Sequence, residues 1–197
     1  TFILMVGVIS YFQRLRANSI AAAKIKKIVI SGKIFSEMIS MIITGGQAGV
    51  DRAALDAAMA AGIEVGGWCP PGREAEDGLI PLNYPLQETP TNASPDAPGI
   101  PRSLRTEWNV RDSDATLIII SGKSASSDPG TQWTGDCAIK YRKPLLQIDA
   151  DDTEATEKMK NWIASNSITV LNIAGQSESL VPGIYRKTFA LLRELFT

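Results

Sequence analysis

Histidine is absent from the 197 residues. That removes the commonest metal ligand and the commonest general base near neutral pH, so a zinc site and a Ser-His-Asp triad are excluded. Cysteine is scarce as well. Cys69 and Cys137 are the only two, too far apart for the paired spacing of a metal site, and they read as reduced thiols of a cytoplasmic protein. No apolar run is long: Phe2 to Ile9 falls well short of the ~20 residues a spanning helix requires, and no basic region precedes it as in a secretory signal. A membrane is therefore not an expected partner. Strong charge of one sign is also missing, since the formal net charge is −1. That value conceals an asymmetry: residues 1–40 carry six basic side chains against Glu37 alone, a net +5, leaving about −6 for residues 41–197. An acidic body cannot neutralise the many phosphates on which non-specific nucleic-acid binding depends, so nucleic acid is not expected either.

What is present is apolar residue, 44% of the chain, enough for one well-buried core at this length and too little for two. One domain over residues 41–197 is expected, with an extension over residues 1–40. The extension differs in charge, begins with Thr rather than Met and contains Met38; it reads as upstream or appended sequence, with an amphipathic helix over about residues 11–25 docked on the domain as the alternative. From Met41 the punctuation becomes regular. An apolar run from Met41 to Thr44 meets a glycine turn, and an alanine-rich helix follows from Asp51 to Ala61, ended by Gly62. Ile63 to Trp68 reads as a second strand, and residues 69–101 hold most of the prolines. A loop that long in a compact domain is usually functional or disordered. A short helix at Thr106–Arg111, strands at Ala115–Ile120, Pro144–Ile148 and Thr169–Ile173, and helices at Thr131–Tyr141, Thr153–Ser165 and Ile184–Leu195 complete the pattern. Strands alternating with helices imply a single doubly wound α/β domain, a mostly parallel sheet of about five strands flanked by helices.

Ligands of such sheets bind beyond the carboxyl ends of the strands, where helix N-termini offer backbone N–H groups and partial positive charge. Three loops fit. The first is the turn Thr44 to Asp51, in which Gly45, Gly46 and Gly49 permit close backbone approach to an anion, with Gln47, Val50 and Asp51 around them. It has neither the Lys-Ser/Thr ending of a P-loop nor the dinucleotide G-x-G-x-x-G spacing. The second is Asp128-Pro129-Gly130-Thr131, opening the helix that carries Thr134, although Thr131 also suits a simple helix cap. The third runs from Asn172 to Ser179 and includes Gly175 and Gln176, although small polar residues there also suit an ordinary turn. Arg73 in the long loop and Arg105 before the central strand are the candidate phosphate grips. Together these residues predict a small phosphate-bearing ligand, with Gly130, Thr131 and Thr134 closing the side opposite the glycine turn.

The strings Thr44-Gly45-Gly46-Gln47-Ala48-Gly49-Val50-Asp51-Arg52-Ala53-Ala54-Leu55-Asp56, Gly66-Gly67-Trp68-Cys69-Pro70, Gly72-Arg73-Glu74-Ala75-Glu76-Asp77-Gly78, Tyr84-Pro85-Leu86, Thr106-Glu107-Trp108-Asn109-Val110-Arg111-Asp112-Ser113-Asp114 and Asn172-Ile173-Ala174-Gly175 closely resemble the putative molybdenum carrier family. They run in the family's order and leave residues 1–40 uncovered. The resemblance implies a circularly permuted, Rossmann-like relative of the Lonely Guy phosphoribohydrolases. It further implies molybdenum cofactor (molybdopterin, with its phosphate tail) as bound ligand, a carrier or storage role, and molybdoenzymes as acceptors. The enzyme alternative is hydrolysis of a nucleotide's N-glycosidic bond. The Lonely Guy loop reads P-G-G-x-G-T-x-x-E, whereas Pro129-Gly130-Thr131-Gln132-Trp133-Thr134 lacks the double glycine and puts Thr134 where the glutamate would fall. An oxocarbenium-like reaction wants a carboxylate beside the sugar, which Glu76, Asp77 or Glu178 would have to supply. Binding is therefore expected over catalysis, with no catalytic residue and no protein metal ligand assigned. A third alternative is a nucleotide-sensing module, a homo-oligomer joined through Phe189, Leu191, Leu192 and Leu195 of the last helix; packing of that helix onto the sheet is the favoured reading.

Overall fold

The computed structural model describes residues 38–122 and 129–197; the helix expected over about residues 11–25 and Asp128 lie outside them. β1 (Met41–Ile43) runs through the glycine turn into α1 (Val50–Ala60). Alanine costs a helix least, and buried Ala53, Ala54, Ala57 and Ala58 let α1 lie close against the sheet. Then come β2 (Glu64–Gly66), β3 (Trp68–Cys69), a single 3-10 turn at Pro71–Arg73, and the short strands β4 (Glu74–Ala75), β5 (Gly78–Leu79) and β6 (Gln87–Glu88). The remainder is α2 (Ser103–Arg111), β7 (Ala115–Ile120), α3 (Pro129–Lys140), β8 (Leu145–Asp149), α4 (Ala155–Asn166), β9 (Val170–Gly175) and α5 (Ile184–Phe196).

Five strands form one parallel sheet in the order β2-β1-β9-β7-β8. The last strand of the chain takes the centre. Moving β9 and α5 ahead of β1 would turn this order into 3-2-1-4-5, that of a doubly wound nucleotide-binding sheet, so the connectivity is a circular permutation of that arrangement. The point where strand order reverses lies at β9 and β7. β7 is buried throughout, as expected of a run of isoleucines with both faces covered. Its Leu117 and Ile119 join Ile42, Leu171 and Ile173 in a core shared with α1, α4 and α5, while the alternating side chains face the other way. There α2 and α3 pack on each other through Val110, Trp133, Cys137 and Ala138.

Two boundaries depart from the sequence pattern, each for a local reason. The strand expected over Ile63–Trp68 breaks at Gly67, whose φ is +123° and where a Cβ would stand 2.4 Å from the carbonyl oxygen of Thr44. Only glycine permits that crossing, and β3 leaves the main sheet to pair with β6. α2 starts at Ser103 instead of Thr106, preceded by Arg102 in the left-handed conformation. α5 lies on the sheet: Leu192 and Leu195 are fully buried, and Phe189 and Leu191 pack against the same core. No helix among the described residues is long and apolar enough to cross a membrane.

Candidate functional site

A cleft of about 250 Å³ opens at the reversal point, beyond the carboxyl ends of β1, β7 and β9. The glycine turn gives Gln47, Ala48 and Asp51 to it, β9 and its following loop give Ala174, Gly175 and Ser177, and the first turns of α3 give Pro129, Gly130, Thr131 and Thr134. Arg102 and Arg105 enter from α2, and Glu76, Ile100 and Pro101 from the long loop. The N-termini of α1 and α3 therefore meet at one cleft, each contributing partial positive charge from aligned peptide dipoles. Two guanidiniums are added to that field.

Asp51 is 4% exposed. Its Oδ2 accepts hydrogen bonds from Nη1 of Arg105 at 2.9 Å and from the N–H of Gln47 at 3.3 Å. Burial pushes its carboxyl above the ordinary value, and the adjacent Arg105 guanidinium opposes that shift. Arg105 reaches Asp51 across Gly45, where a Cβ would fall 2.1 Å from Nη1; the missing side chain makes room for the arginine. Beside it, Nη1 of Arg102 donates to Oε1 of Gln47 at 2.6 Å, while Nε2 of Gln47 donates to the carbonyl of Glu74 at 2.9 Å. The Gln47 amide is thereby fixed at both ends.

Of the thirteen residues singled out from sequence, Gln47, Asp51, Arg105, Gly130, Thr131, Thr134 and Gly175 line the cleft. Gly45, Gly46 and Gly49 build the turn behind it. At Gly49, with φ +96°, a Cβ would stand 2.6 Å from the carbonyl oxygen of Gln176, and the N–H of Val50 donates to that same oxygen at 3.2 Å; the first and third loops are clasped together there. The Val50 N–H and the Gln47 N–H thus serve the protein itself. Asn172 sits inside β9, 2% exposed, its Nδ2 3.2 Å from the hydroxyl of Thr116. Arg73 is turned to a different purpose. Its guanidinium donates to the carbonyls of Ile80, Leu86, Pro81 and Tyr84 at 2.9–3.1 Å, riveting the chain between β5 and β6.

Among the three carboxylates weighed for hydrolysis, only Glu76 lines the cleft, and it accepts both the N–H and the hydroxyl of Ser179. Asp77 pairs with Arg52 at 2.6 Å. Glu178 accepts the N–H groups of Gly183 and Tyr185 at the start of α5, where a carboxylate offsets the helix dipole. Trp108 packs edge-on against Trp68 at 4.6 Å, outside the cleft lining. Sequence reasoning overlooked Arg102 and placed Gln176 in the third loop without singling it out. Arg102 carried little signal: it lies outside the helix expected at Thr106–Arg111, and its left-handed backbone precedes α2. Gln176 carried none. It is 1% exposed and joins the end of β9 to the end of β7 by accepting the N–H of Ser121 at 2.7 Å. Its Nε2, like Nε of Arg105, is buried without a protein partner, so two orphaned polar atoms sit on residues bordering the switch point. Such atoms call for water or ligand. Among the described residues no group of three or more His, Cys, Asp or Glu could hold a metal ion, and Cys69 is fully buried with its thiol pushed up by burial.

Comparison with known proteins agrees with this architecture. Residues 42–196 match the circularly permutated YpsA SLOG family. The chain belongs to that family. The permutation in its description is the one visible in the sheet, where the central strand comes last. A crystal structure of a putative molybdenum carrier protein from Syntrophus aciditrophicus SB resembles this member of the family at 45% sequence identity with a TM-score of 0.72, over 81% of this chain and 95% of that one. No curated protein matches the chain.

Proposed function

We propose that the cleft binds a small phosphate-bearing ligand for carriage or storage, with molybdenum cofactor in its molybdopterin form as that ligand. The observation that carries this reading is the convergence of two helix N-termini, α1 and α3, with Arg102 and Arg105 on one cleft at the switch point. Helix ends and arginine forks are both suited to a phosphate. At about 250 Å³ the cleft lies just below the roughly 300–1,000 Å³ of drug-sized sites, room for a phosphate and one ring system rather than a dinucleotide. Ile100 and Pro101 supply an apolar wall for a flat ring. The resemblance to a protein described as a putative molybdenum carrier supports a molybdenum-bearing ligand.

The donor set around the cleft is oxygen and nitrogen, and both cysteines are buried elsewhere. Molybdenum, if carried, is held by the dithiolene of the pterin and not by protein thiolate. Glu76 keeps N-glycosidic hydrolysis as the second reading, since it alone of the three candidate acids lines the cleft. With both its oxygens engaged by Ser179, binding is favoured over turnover. A cytoplasmic setting and delivery to molybdoenzymes belong to the same proposal. The test is mass spectrometry of small molecules released on denaturing the purified full chain, with a molybdenum assay on the same sample. Pterin with metal supports carriage of the cofactor; a nucleoside monophosphate or free base in its place overturns it.

A further inference from the structure

We infer that Arg102, and not Arg105, is the side chain that grips the ligand's phosphate, and that Gln47 aims it; this rests on the reading of the cleft as a phosphate site. The two arginines share the cleft but differ in what surrounds them. Arg105 is neutralised: its Nη1 lies 2.9 Å from the buried Asp51 carboxylate, and its Nε is enclosed with no partner. Its charge holds the first turn of α1 to α2. Arg102 has no carboxylate within ion-pair distance among the described residues. Among the described residues its guanidinium makes one hydrogen bond, to a neutral amide oxygen, that of Gln47. Among the described residues Arg102 is therefore the cleft arginine without an ion-pair partner; the other carboxylate there, Glu76, lies outside ion-pair distance of it and accepts from Ser179.

The backbone points the same way. Arg102 has φ +60° and ψ 20°, a left-handed conformation that costs a residue with a Cβ on the order of 1 kcal/mol and that glycine would adopt freely. Arginine adds nothing to a helix N-cap, for which Ser, Thr, Asp and Asn are suited, and its side chain makes no cap hydrogen bond here. What the strained position supplies is a guanidinium at the cleft. Gln47 orients it, because the Glu74 carbonyl fixes the amide with Oε1 toward Arg102. Nη1 is thus committed to aiming, and Nη2 and Nε remain for bidentate contact with a phosphate.

The experiment titrates the full chain with inorganic phosphate and with adenosine 5′-monophosphate, the latter a probe that joins a phosphate to a flat heterocycle. Arg102→Gly removes the guanidinium while suiting the left-handed backbone, so the variant stays folded, which its thermal unfolding reports. Both probes should bind at least about tenfold more weakly to it, as expected for a lost charge-assisted contact. Gln47→Ala should lose several-fold, and the Arg102→Gly/Gln47→Ala double variant should lose no more than Arg102→Gly alone, the non-additivity that marks Gln47 as a positioning residue. Binding of either probe to a folded Arg102→Gly within twofold of the parent overturns the assignment and leaves the phosphate reading standing. A parent chain that binds neither probe overturns both.

Discussion

Asp51 and Arg105 meet at 2.9 Å, with the carboxylate 5% and the guanidinium 18% exposed, so the first turn of α1 is joined to the first turn of α2 by a largely buried ion pair. Removing one partner of such a pair leaves the other charge stranded, a penalty of roughly 3–5 kcal/mol. Arg105→Met should therefore lower stability at pH 7 by about that amount. The sign with pH follows from Asp51, whose carboxyl burial already pushes above its ordinary value. The folded state holds that proton more tightly than the unfolded chain, so stability falls as pH rises through the raised value and recovers on acidification. Chemical denaturation of the variant should show a deficit that shrinks as pH is lowered, and Asp51→Asn placed in the same chain should restore most of it.

Glu107 gives the opposite sign. Burial alone would raise its carboxyl, but donors from Lys140 at 2.5 Å, Tyr141 at 2.7 Å and Ser94 hold it below the usual range. A depressed value contributes stability that is present at neutral pH and lost as pH falls through it. Glu107→Gln should destabilise at pH 7 by about 1–3 kcal/mol. The difference from the parent should narrow in acid, once the parent's carboxyl is protonated.

Arg73→Ala should loosen the loop that its four carbonyl contacts rivet. Each hydrogen bond to a charged group contributes roughly 1.5–3 kcal/mol, and partial rehydration leaves an expected loss of about 3 kcal/mol in all. Limited proteolysis is the direct readout: cleavage should appear within residues 74–88 of the variant while the parent resists. Lys in place of Arg should rescue little, because an ammonium cannot span carbonyls at the positions a planar fork reaches.

Leu192→Asp separates core packing from association. Leu192 is fully buried with Leu195 in the core beneath α5, and an unpaired carboxylate there costs at least about 4 kcal/mol. The expected outcome is loss of cooperative thermal unfolding. A folded variant with an altered mass in solution would instead mark α5 as an interface.

The fold was legible because its signals are periodic. Ala115–Ile120 announced a strand covered on both faces, and the alternation of strand and helix announced a parallel sheet. The sheet order was legible only through resemblance, since pairing β9 between β1 and β7 depends on contacts far apart in sequence that no local pattern encodes. The cleft was legible where loop chemistry is local, at Gln47, Asp51 and the start of α3. Arg73 and Arg105 looked equivalent in sequence. The structure separates them, one among backbone carbonyls and one against a buried acid, and brings in Arg102, whose left-handed backbone no residue pattern announces. Long loops hide their partners in this way: the chain from Trp68 to Pro101 has its roles set by what it touches.

The central claim is that the cleft recognises a phosphate. Calorimetric titration of the full chain with adenosine 5′-monophosphate and with adenosine isolates that group, since the two probes differ in nothing else. Two or more charge-assisted contacts predict binding of the monophosphate tighter by a factor on the order of a hundred, weakened by inorganic phosphate as a competitor. Equal affinity for the two probes, or no binding of the monophosphate, would contradict the account.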